Sequence, residues 1–504
     1  MNHPQLTQPL LQLVLCLLIG TYLPAQSIVG DTIFGPGNGF GRTLDYSANG
    51  EFVVVGHPGV GGAGLESGAA TVYQLNGSAW QPVGSPFTGQ APFDRLGNAV
   101  AISADGQRIA VGTPGGDDGG ENTGVVRVYD YTGSEWEQVG EDIVGTQLNE
   151  QFGARLSLAN DGNRLAVGAP TFNANAGPRL GVGRTQVYQL ARGQWQLLGQ
   201  EIQGEGASDG PQLEISLSGE GDHLAVASSW NASTGFQSGH VRVFSYNDTI
   251  WVPQGFELVG AGTNDLFGAS VALSADGQRM AVGALASLGA ATSPGFVRVF
   301  DYNDVDTTWN QVANLRGEAR LDFFGTAVAL SEDGNTLVVG ATGNDTNGDA
   351  AGQARVYRQN VDSTWAQIGT NINGVEEGDA LGSAVGISAD GSRVAIGAPF
   401  ARSPRSGEGG QVLVYDTDGT VRTSAPVVGQ LRVFPNPVSG TTIEVMLPTT
   451  AALRGLELHD AQGRVVRSYL GSHYQLDVSG LPPGAYLLLG YTSAGVLQQR
   501  IIRR

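Results

Sequence analysis

Short runs of alternating apolar and polar residues recur along most of the chain, and turn residues close nearly every run. Ala99-Val100-Ala101-Ile102-Ser103 leads to Asp105-Gly106 and then to Arg108-Ile109-Ala110-Val111-Gly112. A period of two predicts strands, and Asp-Gly between two such runs supplies the positive φ of a tight hairpin. The same device stands at Asn49-Gly50, Asp161-Gly162, Asp276-Gly277, Asp333-Gly334 and Asp390-Gly391. A third run follows, as in Val125-Val126-Arg127-Val128-Tyr129 or Val297-Arg298-Val299-Phe300. A fourth begins at a tryptophan: Trp80, Trp136, Trp195, Trp251, Trp309 or Trp365.

Each block opens on a Phe-Gly or Leu-Gly pair, at Phe40-Gly41, Leu96-Gly97, Phe152-Gly153, Phe267-Gly268, Phe324-Gly325 and Leu381-Gly382. Adjacent pairs lie 56 or 57 residues apart, and the gap of 115 between Gly153 and Gly268 holds one degenerate copy near Pro211-Gln212-Leu213. Seven copies of four strands predict an all-β fold, a seven-bladed β-propeller over residues 28–428 in which each sheet buries both faces against its neighbours. The tryptophans keep the period of the repeat and read as blade-to-blade packing residues; Trp230 falls outside it. Ile28 to Gly35 resembles fourth-strand segments such as Asp142-Ile143-Val144-Gly145, and the seventh copy ends near Val412-Leu413-Val414-Tyr415 without a tryptophan. The N-terminal segment is therefore expected to supply the outer strand of the last blade, with Thr420 to Val428 as the competing candidate.

Phe267-Gly268-Ala269-Ser270-Val271-Ala272 with Val282-Gly283-Ala284, and Val167-Gly168-Ala169-Pro170, resemble FG-GAP repeats of the integrin α-chain propeller type. That family often carries an Asp-x-Asp-x-Asp-Gly calcium loop between its first two strands. Here the turn is only Ser103-Ala104-Asp105-Gly106 or Ser274-Ala275-Asp276-Gly277. One carboxylate per turn cannot supply the six or more oxygens calcium takes. Family-type calcium sites are therefore expected to be absent, and no cofactor is implied. Asp345-Thr346-Asn347-Gly348-Asp349 is a partial calcium-loop pattern, making Asp345, Asn347 and Asp349 the one metal candidate, though the distal bidentate Glu is missing.

The block pattern stops after Ser424-Ala425-Pro426. Residues 429–504 read as a small antiparallel β-sandwich of about seven strands punctuated by Pro and Gly. Pro435-Asn436-Pro437, Gly463-Arg464-Val465-Val466 and Leu481-Pro482-Pro483-Gly484-Ala485-Tyr486 occur in the order of the C-terminal sorting domain of type IX secretion cargo, which this region closely resembles. The resemblance implies a protein of a diderm bacterium, carried across the outer membrane and released or held at the cell surface. Its partner would be that secretion machinery, and its motif residues Pro435, Asn436, Pro437, Gly463, Gly484 and Tyr486.

The formal charge of −20 argues against a nucleic-acid backbone as partner, because phosphate binding needs a basic surface. All 27 basic residues are arginine, which excludes Schiff-base lysine chemistry and a P-loop. The lone cysteine, Cys16, lies in the apolar run Leu10 to Leu23, which ends in Leu23-Pro24-Ala25-Gln26-Ser27. Residues 1–27 thus read as a signal peptide, and the mature chain would have no disulfide, no thiolate metal site and no transmembrane span.

An acidic residue stands three positions before most opening glycines: Asp94, Glu150, Asp265, Asp322 and Asp379, with Asp209 in the degenerate copy and Asn38 in the first. These carboxylates either ring one channel mouth as a site for cations or basic ligands, or accept backbone N–H bonds within their own loops. In the degenerate copy Gly-Ala-Pro becomes Ala227-Ser228-Ser229, followed by Trp230, an aromatic candidate for partner docking. No G-x-S-x-G elbow, P-loop or histidine ligand spacing is present, so no catalytic residue is assigned. The expected function is a secreted or cell-surface binding or adhesion protein whose ligand, a glycan or protein, sits on one loop-rich face. The alternatives are an extracellular polysaccharide-acting enzyme and a structural surface or matrix protein.

Overall fold

The computed structural model describes residues 26–504 except 38, 174–180, 207–208, 286–292, 403–408, 418–426, 431, 435, 437, 439, 447–452, 460–464, 471–474, 493–494 and 504. The signal peptide and Cys16 thus lie outside the described residues, as do Asn38, Pro435, Pro437 and Gly463. The described residues form an all-β protein whose one helical element is a single 3₁₀ turn, Gly210–Gln212.

Seven four- or five-stranded antiparallel sheets are built from residues 27–416, and six of them have their main strands in sequential order. The second is representative: Ala99–Ile102, Arg108–Thr113, Val125–Tyr131 and Trp136–Gln138, with Ile143–Val144 as a second short segment on the outer edge. The Ser-Ala-Asp-Gly hairpin explains itself locally. Ser103 Oγ donates to Asp105 Oδ1 at 2.6 Å, that carboxylate accepts the Gln107 N–H at 2.9 Å, and Gly106 takes a φ of 75°. Its carboxylate is thus engaged within the turn.

Apolar faces decide how the sheets meet. The opening Phe152, Phe267 and Phe324 are fully buried, and each sets its ring edge-on against the third strand at centroid distances of 6.2 Å, on Tyr188, Phe300 and Tyr357. Burying one such ring is worth roughly 2–3 kcal/mol, and the edge-to-face contact adds up to about 1 kcal/mol. The tryptophans join successive sheets. Trp136, Trp195, Trp251 and Trp309 donate their indole N–H to the carbonyls of Val83, Val139, Leu198 and Gln254 in the sheet before, at 2.9–3.0 Å.

The seventh sheet settles the choice between the two terminal segments. Ser27–Ile28 and Ile33–Phe34 pair antiparallel with its third strand, Gln411–Asp416, in the registers Ile28↔Tyr415 and Ile33↔Val412. Where this sheet lacks a tryptophan, Gln26 Nε2 reaches the Ile368 carbonyl of the sixth sheet at 3.4 Å, and Trp80 of the first sheet donates to the Val29 carbonyl at 2.9 Å. Within the competing segment, Val427 starts a strand, Val427–Gln430, that pairs instead with Gly495–Arg503.

The hairpin turns are linked in a closed cycle. Asn49 donates its backbone N–H to Ala104, Ala104 to Asn160 and Asn160 to Gly219; Glu220 donates to Ala275, Ala275 to Glu332, Glu332 to Ala389, and Ala389 back to Ala48. All seven distances fall between 2.9 and 3.2 Å.

The C-terminal region has two sheets. One orders Val427–Gln430, Gly495–Arg503, Gly484–Thr492, Leu453–His459 and Val465–Leu470; the other holds Arg432–Phe434, Thr442–Met446 and Gln475–Asp477. Val433, Ile443, Val445 and Leu476 of the second pack with Leu456, Leu458, Leu488 and Ile501 of the first in one core. The expected antiparallel arrangement needs one correction, since Val427–Gln430 runs parallel to its partner. The expected boundary after residue 428 consequently falls inside a strand.

Candidate functional site

The first strands of all seven sheets line one central cavity. A belt of Leu44, Val100, Leu156, Val271, Val328 and Val385 is shared by its two chambers, of about 360 Å³ toward the hairpin turns and about 390 Å³ toward the Phe-Gly pairs.

At the turn end the repeat places alanine or glycine, and the exceptions carry the polarity. Asn160 Nδ2 donates to Glu332 Oε1 at 2.6 Å, joining the turns of the third and sixth sheets. Ser157 and Ser216 accept the backbone N–H of Leu217 and Leu273 in the next sheet, and Asp45 accepts that of Ile102 at 2.9 Å along with its neighbour Tyr46 at 2.8 Å. Burial raises the Asp45 pKa to about 6, with the two backbone bonds opposing the rise. A folded pKa above the unfolded one means that this carboxyl's contribution to stability is full below about pH 3.8 and lost as pH climbs through about 6. The loss amounts to about 3 kcal/mol. Asp45→Asn should remove it, so urea unfolding of wild type and variant between pH 4 and 8 should diverge by most of that amount, about 2 kcal/mol. Parallel pH curves would count against it.

The Phe-Gly end is different. Arg42, Asn98, Arg155 and Glu214 line the chamber there, and a second cavity of about 390 Å³ shares Asn98, Ala154 and Arg155 with it. This second cavity lies between the second and third sheets along Phe93, Arg95, Asn122 and Gln151, and the two adjoin at Asn98, Ala154 and Arg155 as a groove. Arg155 Nε holds Glu214 Oε1 at 2.7 Å and its Nη1 donates to the Ala154 carbonyl. Burial raises the Glu214 pKa, and the Arg155 guanidinium opposes the rise. Arg95 pairs with Glu66 at 2.8 Å on the exposed rim.

The six acidic candidates are placed alike. One carboxylate oxygen accepts the N–H groups four and three residues upstream: Gln90 and Ala91 for Asp94, Glu205 and Gly206 for Asp209, Ala261 and Gly262 for Asp265, Glu318 and Ala319 for Asp322, Val375 and Glu376 for Asp379. Glu150 does the same with Thr146 and Gln147, and also forms a buried ion pair with Arg184 at 2.8 Å. None of the six lines the central cavity. The geometry matches the local reading, in which each side chain organises its own loop. Trp230 lies half-buried in the turn after the strand His223–Ser228 of the fourth sheet.

Asp345 and Asn347 are exposed and engaged nearby: Asp345 Oδ1 accepts the Ala350 N–H and Asn347 Nδ2 donates to the Gly374 carbonyl. Asp349 is exposed as well. Among the described residues no group of three His, Cys, Asp or Glu is arranged to hold a metal ion. Of the C-terminal motif, Asn436 Oδ1 accepts the Ile502 N–H, Gly484 opens a strand, and buried Tyr486 donates its hydroxyl to the Pro482 carbonyl at 2.7 Å.

Sequence reasoning passed over Arg42, Arg155, Glu214, Asp45 and Asn160. Their signal is faint: each is a charged or polar break in a column of the repeat that carries mostly small residues.

Residues 309–357 match the family model of the FG-GAP repeat, and residues 432–504 match that of the secretion system C-terminal sorting domain. The sorting domain marks a secreted or cell-surface protein handled by the type IX secretion machinery. Among the described residues no helix is long and apolar enough to cross a membrane. No curated protein matches the chain. Among solved structures, a candidate 6-phosphogluconolactonase from Bacteroides uniformis aligns at 13% identity and a TM-score of 0.45, covering 66% of this chain and 86% of its own. Another from Bacteroides fragilis aligns at 12% and 0.45, covering 71% and 97%. Likeness at this level carries no argument about activity.

Proposed function

We propose that the seven sheets are the blades of a β-propeller that works outside the cell as a binding protein, with its ligand on the loop-rich Phe-Gly end. The closed cycle of turn hydrogen bonds supports a propeller, since it runs through all seven sheets and returns to the first. The observation that carries the binding reading is the groove. It joins the axial chamber to the junction of the second and third blades and is lined by guanidinium and amide side chains. Rigid scaffolds present ligand groups on such loops. Adhesion to a surface polysaccharide or protein is the role this arrangement fits.

A second reading draws on the opposite chamber, where Asp45 and Glu332 line one cavity and Asp45 titrates near pH 6. An acid tuned upward by burial is what polysaccharide cleavage asks of a proton donor. One experiment separates the two. The full chain is incubated with arrayed glycans and proteins, with and without calcium, and the products are analysed. Saturable retention without new chain ends is expected. New reducing or unsaturated ends would replace binding with catalysis, and neither retention nor turnover would favour a structural role.

A further inference from the structure

We infer that the groove holds a segment of an acidic polysaccharide, with its carboxylate or sulfate groups against Arg42, Arg155 and Arg95. This rests on the binding reading above and names the ligand class. Charge in the groove runs against that of the chain. The chain carries −20 overall, yet the two adjoining cavities are lined by three arginines against the single carboxylate of Glu214. An arginine fork matches a carboxylate or sulfate with two parallel hydrogen bonds.

The guanidinium groups are also available. Arg42 is exposed and makes no ion pair among the described residues. Arg155 spends Nε and Nη1 on Glu214 and Ala154, which leaves Nη2 without a partner among the described residues. Among the described residues the Arg95 side chain is held only by Glu66, with 49% and 38% of the two side chains exposed. Such exposed pairs contribute little, so an incoming anion can take the place of Glu66.

Neutral polar groups favour a glycan over an acidic peptide. The cavity that Arg95 and Arg155 line also carries the amides of Asn98, Asn122 and Gln151, which can both donate to and accept from hydroxyl groups. Asn98 and Asn122 are oriented by the Ala154 carbonyl at 3.2 Å and by Asn149 at 3.0 Å. Phe93 lines the same cavity and is 49% exposed, an apolar ring on which the C–H face of a sugar could pack.

The test measures retention of the full-length protein on polygalacturonate, dextran sulfate, neutral dextran and poly-glutamate. Polygalacturonate, dextran sulfate or both should be retained, less so as salt rises, and the pair distinguishes carboxylate from sulfate recognition. Arg42→Glu should weaken that retention at least about tenfold. Arg155→Gln combined with Glu214→Gln, which leaves no carboxylate unpaired, should do likewise while thermal unfolding confirms the fold. Arg192→Glu makes the same charge change in an exposed turn outside the groove and should have no effect. Equal losses with Arg192→Glu, or equal retention of poly-glutamate, would overturn the assignment. Saturable binding of a neutral glycan or a protein that survives Arg42→Glu overturns this assignment alone. Failure of every arrayed ligand to bind overturns the binding reading with it.

Discussion

Replacing Gly397 by alanine is expected to lower the stability of the seven-sheet region by more than about 3 kcal/mol, while Gly168→Ala costs about 1 kcal/mol or less. Both glycines occupy the same position in the second strand, so the contrast isolates their surroundings. A Cβ on Gly397 would sit 2.0 Å from the backbone oxygen of Gly41, across the seam between the seventh and first sheets. Backbone cannot rotate aside as a side chain can, so two sheets would have to separate. Gly112 against Gly153 and Gly340 against Gly382 repeat the 2.0 Å approach. Gly168 faces the fourth sheet, where Pro211-Gln212 stands in place of Phe-Gly. Its nearest neighbours, Arg155 Cβ at 3.0 Å and Leu213 Cδ2 at 3.1 Å, are about an ångström further off, so a few tenths of an ångström of movement makes room. Denaturant midpoints read by tryptophan fluorescence check the pair. Losses within 1 kcal/mol of each other would show that the sheet separation is softer than the backbone contacts imply.

Deleting residues 26–35 should remove cooperative unfolding of the seven-sheet region or lower its stability by roughly 5–10 kcal/mol, as much as a whole domain commonly has. The segment buries Val29 and Ile33 between sheets, at roughly 2–3 kcal/mol each. It also exchanges hydrogen bonds with the last sheet, including Val29 N–H to the Val414 carbonyl at 2.8 Å and Gly35 N–H to Gly410 at 3.0 Å. Without it the strand Gln411–Asp416 becomes an open edge, and Trp80 loses the carbonyl that receives its indole N–H. Hydrogen exchange should then quicken first in Gln411–Asp416 and in the strand Ala79–Pro82 that carries Trp80. Restoring protection with an added peptide of residues 26–36 would confirm the cause. A deletion variant with wild-type exchange would show that the segment does not hold the last sheet together.

How far the sequence led can be judged from single positions. The Asp105-Gly106 turn, the buried Phe152 and the tryptophan series were readable because each is a local rule or a repeated one. Glycine in the Val-Gly-Ala strand was visible as a habit of the repeat, yet its cause is a carbonyl in the neighbouring sheet, about 40 residues away in the chain for Gly112 and Gly153. The acidic residues before the opening glycines were visible too, but whether they faced a channel or their own loops depended on side-chain direction.

The groove shows the same limit. Arg42, Arg95 and Arg155 stand in three different copies of the repeat, and nothing in their spacing sets them apart from the other arginines. Local periodicity and turn chemistry determined the strands, the seven copies and the secreted address, since those properties act over a few residues or are written in contiguous motifs. Only the tertiary structure decided which terminal segment completes the last sheet, which glycines have no room for a Cβ, and which arginines share a cavity. Each of those outcomes depends on the approach of segments far apart in the chain, and that approach is set when the apolar faces of the sheets pack.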